Sequence, residues 1–109
     1  MGRGLKMIEN KIMDILTKKR MLIMYEIYEL YIHNQGKVKV SEVVQNYEKN
    51  YNGKRESVVY EFIRFLEDLD LVKSGKQGRI KYITKLNVDV FGYCYELIKN
   101  IKEEIIYEN

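Results

Sequence analysis

A change of period between residues 54 and 84 constrains this chain more than any other feature. Val59, Phe62, Ile63, Leu66 and Leu69 recur at three- and four-residue steps. That is the apolar stripe of a helix starting at Lys54 or Arg55 and running to about Leu69. Ser57, Tyr60, Glu61, Arg64 and Asp68 fall on its other side. The period then drops to two. Leu71-Val72-Lys73 and the stretch 79–84 alternate as strands do, and Ser74-Gly75-Lys76-Gln77-Gly78 lies between them as a loop whose glycines accept positive φ. The chain therefore reads as mainly α with a small β-hairpin, an α+β fold.

The flanking segments extend this order. Leu5, Ile8, Ile12 and Ile15 predict an N-terminal helix over about 5–18. Residues 21–33 predict helix through Leu22, Ile23, Ile27, Leu30 and Tyr31, either as a second helix or as the continuation of the first. Asn34-Gln35-Gly36 is a helix stop. Lys37-Val38-Lys39-Val40 alternates as a short strand, and Ser41 is an N-cap residue for a helix carrying Val43, Val44 and Tyr47. Asn87 or Asp89 caps a last helix over about 88–107. In it Phe91, Cys94, Ile98, Ile101 and Ile105 are spaced 3, 4, 3 and 4, the seam of a coiled coil.

Composition excludes several classes. A chain of 109 residues is read as one domain, 1–109. No apolar run approaches the roughly 20 residues that cross a bilayer, and charges stand where a signal peptide would be apolar, so a cytoplasmic protein without membrane contact is expected. Cys94 is the single cysteine, which rules out an internal disulfide framework and suits a buried thiol better than a redox sensor. His33 is the single histidine and has no partners at metal-ligand spacing. Gly75-x-x-Gly78 lacks the Lys-Ser/Thr of a phosphate-binding loop. Glu67-Asp68 with Asp70, and Glu103-Glu104, read as solvated faces. No catalytic residue, metal site or cofactor is expected. Ten tyrosines invite a base-stacking reading, but Tyr25, Tyr28, Tyr31, Tyr47 and Tyr93 sit in helical segments and suit packing.

Charge is unevenly distributed. The stretch 71–86 has five basic residues (Lys73, Lys76, Arg79, Lys81, Lys85) and no acid. The first twenty residues carry six basic and two acidic side chains, whereas from Asn87 onward five acids face two lysines. Such a polarised molecule can offer one face to a polyanion.

Helix, short strand, helix, turn, helix, strand, loop, strand resembles the winged helix-turn-helix domain, with its core over about 21–84 and extra N- and C-terminal helices. The likeness is most specific at Phe62-Ile-Arg-Phe-Leu-Glu-Asp-Leu-Asp-Leu-Val-Lys73. There Leu66, Leu69, Leu71 and Val72 occupy the phrase that ends the recognition helix of MarR-like, PadR-like and small archaeal-type regulators. Asp70 stands where many of those proteins have Gly, and Asp tolerates left-handed geometry better than most residues.

The resemblance implies a sequence-specific transcription regulator bound to double-stranded DNA as a homodimer. The helix over about 54–69 would enter the major groove, with Lys54 and Arg55 at phosphates and Ser57, Tyr60, Glu61 and Arg64 near bases. Arg64 would offer guanine a bidentate pair, worth about 1–3 kcal/mol of discrimination. The wing over about 74–80 would meet backbone or minor groove through Lys73, Lys76, Gln77, Arg79 and Lys81, giving salt-sensitive affinity. The cluster Lys18-Lys19-Arg20 would touch flanking phosphates or solvate a helix junction. Leu5, Ile8, Ile12 and Ile15, with Phe91, Cys94, Ile98, Ile101 and Ile105, would form the dimer interface. Half-sites would then lie about 34–36 Å apart in a palindromic operator. A small-molecule effector is neither indicated nor excluded. The same fold also serves as a protein-interaction module, and a non-specific architectural DNA-binding protein is a third reading.

Overall fold

The computed structural model describes residues 18–51 and 56–100. Among them the order is α1 (Lys18–His33), β1 (Val38–Lys39), α2 (Val40–Tyr51), α3 (Glu56–Asp68), β2 (Val72–Gln77), β3 (Ile80–Leu86) and α4 (Val88–Lys99). The described chain is thus α+β: four helices and one antiparallel sheet of three strands in the order β1-β3-β2. That layout is compatible with a winged-helix arrangement. No described helix is long and apolar enough to cross a membrane.

Local chemistry explains where the elements stop. α1 ends with Gln35 at φ 56° and Gly36 at φ 94°, and the Gly36 N–H donates to the Tyr31 carbonyl at 2.9 Å. α3 ends the same way. Asp70 adopts φ 59°, its N–H donates to the Glu67 carbonyl at 3.0 Å, and the Leu71 N–H donates to Leu66 at 2.9 Å. This pair of bonds is the Schellman motif, which satisfies the last helical carbonyls and turns the chain sharply into β2. The left-handed tolerance of Asp is therefore used. Asn87 caps α4, its side chain accepting from the N–H groups of Asp89 and Val90 at 3.1 Å each.

Three local expectations are corrected. Ser41 is the second residue of α2, because the helix begins at Val40, a fully buried residue that turns into the core. Leu69 lies past the end of α3 and is exposed. The hairpin is longer than the alternation indicated: Lys76 pairs with Lys81 and Gln77 with Ile80, leaving only Gly78 and Arg79 as the turn. Gly78 has φ 65°, at the first of two turn positions, where a primed turn calls for glycine. Gly75 is an ordinary strand residue opposite Tyr82. A bulge at Thr84 shifts the register between Lys73 and Ser74.

A single core joins all the helices. Leu22, Ile23 and Ile27 of α1 meet Val43 and Tyr47 of α2, Val59, Phe62, Ile63 and Leu66 of α3, and Val38 and Ile83 of the sheet. α4 adds Val90, Phe91, Cys94 and Ile98. Phe91, Cys94 and Ile98, expected to face a second copy, are instead buried inside this chain, with α4 lying along α1. The Cys94 thiol points to the Met24 sulfur at 3.8 Å. A three-four apolar stripe packs against the nearest apolar surface, and that surface is α1. The other residues of the expected interface, Leu5, Ile8, Ile12, Ile15, Ile101 and Ile105, lie outside the described residues. The tyrosines pack as expected: Tyr25 stacks on Tyr95 with centroids 4.9 Å apart, and Tyr28 tilts against Tyr95 at 5.2 Å.

Candidate nucleic-acid interface

α3 presents Ser57, Glu61, Arg64 and Asp68 along one exposed strip. These positions are spaced 4, 3 and 4, so they share a face. Tyr60 is half-buried beside it, in a shallow depression with Glu48, Glu56 and Ser57. Lys54 and Arg55, the expected basic start of this helix, lie outside the described residues. The described α3 holds four carboxylates (Glu56, Glu61, Glu67, Asp68) and one guanidinium, Arg64. Its outer strip is therefore acidic overall.

The hairpin has the opposite character. The three strands carry five lysines and no acid. The register sets Lys73 opposite Lys85 and Lys76 opposite Lys81. Like charges in directly opposed positions repel and cost a free hairpin stability. Arg79 stands exposed at the turn.

Lys81 and Gln77 do not stand free for DNA as expected. Lys81 turns toward α3, where its ammonium lies 3.1 Å from the Glu67 carboxylate. The same carboxylate oxygen accepts from the Ser74 hydroxyl at 2.7 Å. Partial burial pushes the Glu67 carboxyl upward, but the Ser74 hydroxyl and the Lys81 ammonium, helped by nearby Arg64, outweigh it and hold it below the ordinary carboxylate range. Glu67, Ser74 and Lys81 thus tie the hairpin to α3. Gln77 accepts from the Lys37 ammonium at 3.1 Å, and that ammonium also lies 4.3 Å from the centre of the Tyr82 ring. In the 18–20 cluster, the Arg20 guanidinium sits over the rings of Phe62 and Phe65 at 5.6 and 5.1 Å, so its planar head packs against α3.

Lys37, Glu67 and Ser74 were not identified as site residues from sequence. The alternation of Lys37-Val38-Lys39-Val40 carried a signal for the first, because buried valines put the lysines that alternate with them on the opposite face. The meeting of Glu67 with Ser74 and Lys81 had no such signal.

A second polar cluster lies between α1 and α4. Glu29 accepts from the Tyr95 hydroxyl at 2.8 Å and lies 2.9 Å from the His33 Nε2. Partial burial raises its carboxyl, yet the hydrogen bonds from Tyr95, Tyr25 and His33 bring it below the ordinary value. Glu26, only 3% exposed, accepts from Asn50 Nδ2 at 3.1 Å. No group of acidic, histidine or cysteine side chains among the described residues is arranged to hold a metal.

Compared with protein-family models and with curated proteins, the chain matches none.

Proposed function

We propose that this chain is a winged-helix regulator of transcription that binds duplex DNA, with the β2–β3 hairpin as its wing and α3 as its recognition helix. The observation that carries the reading is the hairpin register: Lys73 against Lys85 and Lys76 against Lys81, with Arg79 at the tip and no acid on any strand. Lys81 is already balanced by Glu67, so the charge left for a polyanion to offset is that of the Lys73–Lys85 pair and of the exposed Lys76 and Arg79. Edge-strand protection is another reason for lysines, but it accounts only for those of β1 and β2, since β3 is the central strand.

In this reading the hairpin supplies most of the affinity and α3 the discrimination. Arg64 faces a guanine edge, and Glu61 accepts from a cytosine amino group. A homodimer would be built on surfaces other than the interior seam of α4. The test is a titration of duplex DNA at rising salt, with the wild type and with Lys76→Glu/Arg79→Glu. The expected result is affinity that falls steeply with salt and is largely lost in the variant. Affinity that is indifferent to both refutes the reading.

One observation favours a protein-docking module: the acidic strip of α3, which repels phosphate. Replacing Asp68, which reads no base in the DNA-binding arrangement, by lysine separates the two, since a DNA-binding strip gains affinity for duplex DNA from that change.

A further inference from the structure

The two faces of the sheet differ in how their charge is balanced. On the inner face, Val38, Ile83, Val72 and Leu86 enter the core, and Lys81 on that side is neutralised by Glu67. The outer face follows from the register. Lys39 is opposite Tyr82, which is opposite Gly75. Lys73 lies two residues before Gly75 and one after buried Val72, so it shares the outer face, and Lys85 opposite it does too. Lys37 reaches over the same face to the Tyr82 ring.

We infer that this outer sheet face is a second DNA-contacting surface: Lys37, Lys39, Lys73 and Lys85, grouped around Tyr82, grip the sugar–phosphate backbone of the duplex beyond the reach of α3 and the wing tip. The inference rests on the DNA-binding reading and extends it. None of the four lysines makes an ion pair among the described residues. Lys37 is held in place by a neutral amide and a ring, which orient its ammonium without cancelling its charge. Asp70 is the one carboxylate that lines the depression at the base of the hairpin with Lys73 and Lys85, and it is paired with neither. Adjacent strands lie about 4.8 Å apart, so Lys39 on β1 and Lys73 on β2 are set roughly 10 Å apart across the sheet, while Lys85 on β3 stands opposite Lys73. The chemistry suits a backbone and not bases, because the Tyr82 ring is already occupied by Lys37.

The experiment compares salt dependence on a duplex of arbitrary sequence for the wild type, Lys37→Gln/Lys39→Gln, Lys73→Gln/Lys85→Gln and the tip variant Lys76→Gln/Arg79→Gln. Each phosphate contact contributes about 0.9 to the slope of log affinity against log salt. Each outer-face pair should therefore lower the slope by about 1.8, so that between about 50 and 200 mM salt the wild type loses roughly tenfold more affinity than the variant. The Lys73→Gln/Lys85→Gln protein should melt no lower than wild type, since a repulsion is removed, which separates lost contacts from lost folding. If both outer-face variants keep the wild-type slope while the tip variant lowers it, the outer surface is refuted and DNA binding stands. If the wild type itself shows no salt-dependent binding, both fall.

Discussion

Replacing Glu67 by alanine probes the junction on which the site depends, because this carboxylate joins the hairpin to α3 through two polar contacts. The Ser74 hydroxyl donates to it at 2.7 Å and the Lys81 ammonium lies at 3.1 Å. A hydrogen bond to a charged group contributes about 1.5–3 kcal/mol when buried. Here the Lys81 and Glu67 side chains are 25% and 29% exposed, so solvent lowers the hydrogen-bond share to about 1 kcal/mol and the ion pair to about 0.5 kcal/mol. Glu67→Ala should cost about 1.5 kcal/mol, a fall of roughly 6–12 °C in Tm for a domain of this size. Glu67→Gln can still accept from Ser74 and should lose only the ion-pair share. The pH dependence has a definite sign. The folded Glu67 carboxyl is held below its ordinary value of 4.5, so its contribution is complete above that value and is lost as pH falls through the depressed folded value. Urea denaturation of both proteins at pH values from neutral down to strongly acidic measures this. A Glu67→Ala protein as stable as wild type at neutral pH, or one whose deficit persists unchanged in strong acid, would falsify the account of the junction.

Other expectations concern single residues. Asp70→Val should lower stability by about 1–2 kcal/mol, because a β-branched residue is strained at φ 59°, while Asp70→Gly should not lower it; chemical denaturation reads both. Ile98→Ala should cost about 2–5 kcal/mol without changing the molecular mass in solution, since Ile98 is fully buried within this chain; thermal melting and sedimentation together check it. Burial pushes the Cys94 thiol up to about 12, so a thiol reagent at neutral pH should modify it only at the rate of unfolding, and prompt modification would contradict its placement. Lys85→Glu should raise stability by about 0.2–1 kcal/mol by pairing with Lys73 while weakening duplex binding, measured by melting and titration.

The sequence by itself determined the helix and strand order, the α3 stripe from Val59 to Leu66 and the helix stop at Gly36; it narrowed the cap of the last helix to Asn87 or Asp89 and marked Asp70 as tolerant of left-handed geometry. Each is written in neighbours no more than a few residues apart: periodicity says which side chains share a face, and capping depends on one or two backbone bonds. It also showed that the stretch 71–86 is cationic, because that needs only counting. Tertiary structure decided which surface each face meets. The Phe91–Cys94–Ile98 seam could equally have joined a second copy, and it met α1. Lys81 looked like its neighbours until the fold placed Glu67 beside it, and Gln77 until Lys37, forty positions away, reached it. Whether a given charge is balanced depends on segments brought together only by folding, and spacing along the chain carries no record of those distances.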